Sequence, residues 1–240
     1  MVLRKNRFVE MLLAFVLVTA LASCASPHQF SGSVLETPTP AFAFEGTNYT
    51  GDPFRLSEQQ GKVVVIFFGY TFCPDICPLT LANLKQVADK LGDKAQDLVV
   101  VFITVDPERD TTERLAAYVQ AFSADFYGVR MEGQMYEATK KAYGVYAEKN
   151  KVETGNADSY FVDHTGGIYI IDRNGDWREL FRHDATVEML LPDIAYWLEQ
   201  WSSKIVGQWD SGTVGQWTTC STVLLSYCLT VLLSHSPTVY

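Results

Sequence analysis

The chain is poor in the residues that several kinds of site need. Four histidines and five cysteines stand among 240 residues, and the cysteines fall at 24, 73, 77, 220 and 228. That scatter is no disulfide framework for a small secreted domain. Lys and Arg number 19 against 28 Asp and Glu, a formal net charge of -9, and no cluster of cations follows residue 7. Phosphate backbones are bound by clustered Lys and Arg, so nucleic acid is not an expected partner. The acidic balance by itself names no partner. No apolar run reaches the ~20 residues that cross a bilayer as a helix. What is present is a core: 48% of residues are apolar and 13% aromatic, enough for one ordinary domain with appendages.

The ends read as appendages. Arg4, Lys5 and Arg7 precede an apolar run from Met11 to Ala22, which has the length of a signal h-region. Leu21-Ala22-Ser23-Cys24 follows and resembles the bacterial lipobox, in which the peptide is cut before a cysteine that becomes lipidated. Residues 1–23 are therefore expected to be a lipoprotein signal. Residues 24–40, carrying Ser, Pro and Thr, read as a lipidated flexible tether. The expected place is the outer face of a membrane, periplasmic or extracellular, with two or more acyl chains as a stable anchor.

At the other end, residues 206–237 divide into eights: VGQWDSGT, VGQWTTCS, TVLLSYCL, TVLLSHSP. Solenoid repeats are longer. A period of eight residues is what a translated eight-nucleotide repeat gives. The tail, residues 202–240, is then an accidental and disordered extension, and Cys220, Cys228 and His235 are not selected ligands. The competing reading makes 222–233 a short apolar anchor.

Between them, residues 41–201 alternate strand and helix patterns. Val63 to Tyr70 and Leu98 to Val105 are continuous β-branched and aromatic runs, as expected of strands covered on both faces. Leu81, Leu84, Val87, Ala88 and Leu91 recur at helical spacing between them, which makes a parallel strand-helix-strand unit. Thr111 to Phe122 reads as a second helix. Ile168 to Asp172 and Trp177 to Phe181 read as strands joined through Asn174-Gly175. Val187 to Trp201 is an amphipathic last helix. The class is α/β, with helices on both faces of a small mixed sheet.

Gly69-Tyr70-Thr71-Phe72-Cys73-Pro74-Asp75-Ile76-Cys77-Pro78 links the first buried strand to its helix. Reactive groups in open α/β sheets collect at the carboxyl ends of strands. Pro78 suits a first helical turn, and cysteines four apart at a helix start face the same way. Exposed N–H groups and the dipole favour thiolate there. The two sulfurs can share a metal ion or close a disulfide; the bland alternative is two buried structural cysteines. Asp106, after the second strand, reads as a loop-ordering group, with capping as the alternative. Asp75 reads as a helix cap or as a group tuning the thiols.

Three blocks in order, FGYTFCPDICPLTLANL, TVDPERDT and VDHTGGIYIID, are similar to the SCO/SenC family over roughly residues 36–201. The resemblance implies a thioredoxin-like fold. It implies one copper ion, Cu(I) or Cu(II), held by Cys73, Cys77 and a distant histidine, here His164. It also implies a role in building the copper site of cytochrome c oxidase. The partners implied are the copper-site subunit of the oxidase and a thiol reductase. Two thiolates suit soft Cu(I), and an added imidazole suits Cu(II). His28 falls in the tether, and His183 has no assignable counterpart. Thioredoxins space their cysteines Cys-x-x-Cys and place a proline where Thr165 follows His164. The leading expectation is thus a metallochaperone, not an enzyme in the usual sense. The alternative is a thiol-disulfide oxidoreductase working through Cys73 and Cys77 as a redox-active pair. A peroxidase relative would need a Thr and an Arg partnering the cysteine, which the sequence does not place.

Overall fold

The computed structural model describes residues 27–151 and 160–208. Gln29–Gly207 form one compact unit.

The centre is a pair of parallel strands. β4 (Val63–Gly69) and β5 (Leu98–Thr104) pair in register from Val63↔Leu98 to Gly69↔Thr104. Their β-branched and aromatic side chains lie to both faces, so almost every residue is buried. Alternation then divides the core. Val63, Val65 and Phe67 pack with α1 (Ile76–Leu91), α2 (Thr112–Gln120) and α4 (Val187–Gln208). Val64, Ile66 and Phe68 face Phe44, Phe54, Tyr143, Val162 and Tyr169 on the other side. There α3 (Gly133–Ala142) supplies cover through Tyr136.

The remaining strands are β1 (Ser33–Pro40), β2 (Glu45–Asn48), β3 (Pro53–Arg55), β6 (Tyr127–Arg130), β9 (Ile168–Ile171) and β10 (Asp176–Phe181). They complete an eight-stranded mixed sheet of order β1-β10-β9-β4-β5-β6-β2-β3. Helices on both faces of a mixed sheet agree with the expected class. β7 (Ala147–Lys151) and β8 (Tyr160–His164) form a separate two-stranded sheet.

Two boundaries differ from the sequence reading. Residues 33–40, expected in the tether, form β1 and pair antiparallel with β10, Ser33 opposite Leu180 and Pro40 opposite Asp176. The segment before β1 is held too. Phe30 stacks on Trp197 and meets Tyr196 edge-on. The Ser31 N–H donates to Asp193 at 2.7 Å and the Gly32 N–H to Glu179 at 3.1 Å. Both carboxyls are fully buried, and Glu179 also accepts from Trp197 Nε1 at 2.9 Å. Ser, Pro and Thr made the segment look like linker; partners elsewhere in the fold make it a strand. At the other end α4 runs to Gln208, beyond the Trp201 expected as its end, so 202–208 are helical. Cys24, Cys220, Cys228 and His235 lie outside the described residues.

Candidate metal centre

β4 delivers the chain to the rim of the sheet, and Tyr70 to Asp75 turn it into α1. The turn is pinned twice. Cys73 N–H bonds to the Tyr70 carbonyl at 3.2 Å. Asp110, fully buried, accepts from Thr71 N–H, Thr71 Oγ1 and Thr104 Oγ1 at 3.0, 2.6 and 2.6 Å. Burial pushes the Asp110 carboxyl upward, and the bonds from the two threonines oppose it. Nothing in the one-dimensional pattern marked Asp110 for this task; it lies within the TVDPERDT block but 33 residues past Cys77 in the chain.

Cys73 is partly exposed and Cys77 is buried, and both are free thiols. Cys77 lies in the first turn of α1 on its buried face. Its Sγ is seated over the backbone of Gly69: a β-carbon there would stand 2.8 Å from Sγ and 2.6 Å from Phe102 Cε2. Only a residue without a side chain lets the sulfur come this close.

His164 is the last residue of β8, opposite Ala147. Thr165 ties the hairpin end, its N–H to the Tyr146 carbonyl and its hydroxyl to the Tyr146 N–H, both 3.0 Å. The imidazole meets the Tyr70 ring edge-on at 5.7 Å. Nδ1 stands 3.1 Å from the Thr165 carbonyl, and Nε2 stands 3.9 Å from Cys77 Sγ. A carbonyl only accepts, so Nδ1 carries the proton. Nε2 is then the ring nitrogen that faces the sulfurs, and so the one a metal would take.

The thiols are electrostatically unequal. A hydrogen bond with Cys77 pulls the Cys73 thiol far down, to about 3, against the cost of burial. His164 and the backbone N–H groups of Asp75 and Cys77 add to that pull. These are the open N–H groups of a helix start. The same hydrogen bond, with burial, pushes the Cys77 thiol upward. The site thus favours one thiolate, on the partly exposed sulfur of Cys73. Asp75 is the first residue before α1, yet its side chain makes no capping bond; its contribution to Cys73 comes from the backbone.

The structure places His164 beside Cys77, with Cys73 in hydrogen-bonding reach of both. Among the described residues no group of three or more His, Cys, Asp or Glu side chains stands close enough to hold a metal ion as placed. A thiolate and an imidazole bound to one ion at about 2.3 and 2.0 Å, spread by about 120°, stand ~3.7 Å apart, close to the 3.9 Å between Cys77 and His164. Two soft sulfurs and one imidazole nitrogen are a donor set for copper.

Comparison with known proteins agrees with the blocks read in the sequence. The SCO1/SenC family model matches residues 35–199. The chain belongs to the SCO1/SenC family. An SCO2-like protein of Rickettsia prowazekii is 35% identical over 150 residues, 62% of this chain and 72% of that protein. Among solved structures, apo Sco1 of Thermus thermophilus is 34% identical with a TM-score of 0.63, covering 72% of this chain and 99% of that one. Bradyrhizobium japonicum ScoI, solved with copper bound, is 32% identical with a TM-score of 0.59, covering 65% and 98%. The fold of this SCO1/SenC chain is accordingly thioredoxin-like. As in the sequence reading, β4, β5 and α1 frame the cysteines. Around them stands a network the sequence reading reached only in part. Asp106, buried, pairs with Arg109 at 2.5 Å and accepts from the Tyr160 hydroxyl at 2.8 Å. His183 is exposed, with its Cβ against Gly166.

Proposed function

We propose that this chain holds copper through Cys73, Cys77 and His164 and passes it to the copper site of cytochrome c oxidase. The single observation behind this reading is the approach of His164 Nε2 to Cys77 Sγ, with the Cys73 thiol hydrogen-bonded to both groups. Copper is the cargo of such a protein. Cys73 offers a ready thiolate, Cys77 a second sulfur that gives up its proton on binding, and His164 the ring nitrogen that faces them. Three ligands leave a position open for the receiving protein. The copper-bound ScoI of Bradyrhizobium japonicum supports copper as the metal. The test is copper stoichiometry of the purified chain: one ion per chain is expected, with tight binding lost in Cys73→Ala and Cys77→Ala. Full-affinity binding by either variant removes that residue from the site.

A second reading, reduction of disulfides in an exported client, is favoured by one observation. Cys73 is a low-pKa, accessible thiolate and Cys77 a buried thiol beside it, which is the division between attacking and resolving sulfur. Both chemistries can run in turn on one client, reduction first and copper second, with a thiol reductase resetting the pair.

The anchor in this proposal is a lipid on Cys24, placing the domain on the outer face of a membrane. Among the described residues no helix is long and apolar enough to cross one. Mass spectrometry of the membrane-extracted protein tests it: an acylated Cys24 at the N-terminus is expected, and an unmodified, retained residue 1–23 segment refutes it.

A further inference from the structure

The hairpin that carries His164 is not part of the main sheet, so something must set its distance from the cysteines. Val162 packs it into the core on one side. On the other side the loop after β5 reaches across. The Arg109 side chain, only 11% exposed, donates from Nε to Asp106 at 2.5 Å and from Nη1 to the Tyr160 carbonyl at 2.9 Å. Tyr160 returns its hydroxyl to the other oxygen of Asp106 at 2.8 Å, closing a three-residue ring. The guanidinium plane also lies against aromatic rings, 3.4 Å from the centroid of Tyr160 and 4.5 Å from that of Phe72. Phe72 adjoins Cys73; Tyr160 begins the strand that ends at His164. Arg114 at 4.5 Å over Phe72 and Lys149 at 5.1 Å over Tyr160 extend the stack at its two ends.

We propose that Arg109 is a positioning residue, a strut between the cysteine turn and the histidine hairpin that holds His164 Nε2 against the sulfurs. The inference rests on His164 being a copper ligand. Arginine fits the place and lysine does not. Only the guanidinium combines a rigid fork, which takes a carboxylate and a carbonyl together, with a flat face that stacks on two rings. The buried Asp106–Arg109 pair is weak support for stability, since desolvation offsets much of the attraction; its geometry serves placement. Without the strut the hairpin still pairs with itself and keeps Val162 buried, but the imidazole gains freedom relative to the sulfurs. Cu(I), satisfied by two thiolates, feels this little. Cu(II), which leans on the nitrogen, feels it fully.

The experiment uses the full chain with Arg109→Gln, Arg109→Lys and His164→Ala. Far-UV circular dichroism verifies folding. In metal-free protein, proton NMR reads the contact between the Tyr70 and His164 rings. With copper, the thiolate-to-Cu(II) absorption band and nitrogen coupling in the electron paramagnetic resonance spectrum read the ligand. Arg109→Gln is expected to lose the Tyr70–His164 contact and weaken Cu(II) about 10–100-fold, with Cu(I) affinity nearly unchanged. Arg109→Lys, which keeps the charge without the fork, recovers only part and serves if the glutamine variant fails to fold. A wild-type ring contact and wild-type Cu(II) affinity in folded Arg109→Gln or Arg109→Lys overturn the inference. His164→Ala separates the two levels. Unaltered nitrogen coupling in that variant defeats the ligand reading itself, whereas the metal-free ring contact tests the strut independently of copper.

Discussion

Nε2 of His164 stands 3.9 Å from Sγ of Cys77 across 87 residues of sequence. One group comes from the start of a helix and the other from the end of a hairpin outside the main sheet. Their meeting is the basis of the first expectation. His164→Ala should weaken Cu(II) far more than Cu(I), because the two thiolates retain much of the softer ion. The Cys73–Cys77 disulfide should still open and close, since the imidazole is no part of it. Competition titrations of each oxidation state check the first point, and a glutathione redox titration the second. In cells, oxidase assembly is expected to fail in the His164→Ala strain and recover partly with added copper.

Gly69 should tolerate no side chain. A methyl group there meets both Cys77 Sγ and Phe102 Cε2. Gly69→Ala is expected to cost about 1–3 kcal/mol, as overpacking of a filled core does. It should also expose Cys77 to alkylation. A denaturant midpoint and mass-mapped iodoacetamide labelling read the two effects together.

Cys73 should react as a thiolate in mild acid. Hydrogen bonding with Cys77 lowers its thiol to about 3, so the ionised form persists above that value. The pair titrates jointly, and Cys73→Ser should remove the acid reactivity altogether. The expected result is a nearly flat alkylation rate between about pH 5 and 8, where an ordinary thiol rises about tenfold per pH unit.

A different pH dependence should come from Glu179. Burial, aided by Asp193, raises this carboxyl from 4.5 to about 8 in the folded chain. Between these values the native state binds more protons than the unfolded state, so stability falls as pH rises. The melting temperature is expected to decline across that window. Glu179→Gln, which keeps an acceptor for Trp197 Nε1 or the Gly32 N–H, should flatten the decline. A melting temperature that rises through the window in the parent chain contradicts it.

Deleting residues 25–40 should destabilise the domain, although their composition is that of a linker. The deletion removes β1, the Phe30–Trp197 stack and two N–H donors to buried carboxyls. A buried acceptor left without its donor costs about 1–3 kcal/mol. Thermal unfolding of the truncated chain measures the loss; an unchanged midpoint would restore the tether reading of 33–40.

What the sequence revealed follows from what is local. VVVIFFG and LVVVFIT are legible because a strand buried on both faces must be apolar throughout. The cysteine turn is legible because helix-start chemistry is carried by neighbours in the chain. β7, with the polar sequence AEKNK, and β1, with its prolines and threonines, carry no such signal; each is a strand because of what it pairs with. Arg109 was hidden for the same reason. Its three principal partners, Phe72, Asp106 and Tyr160, come from three separate segments, and only the fold sets them around one guanidinium.

The two ends of the sheet have a consequence wherever copies of the chain are crowded together. Crowded copies meet one another more often, and an open strand edge invites them to zip together. One edge here is β1, interrupted by Pro38 and Pro40; the other is β3, three residues long and opened by Pro53. Proline offers no N–H to a visiting strand. The long apolar strands that build the core lie inside the sheet with both sides paired, and the edges left over are poor templates. Crowding therefore raises the rate of encounter between copies without giving the edges of this sheet a ladder to extend.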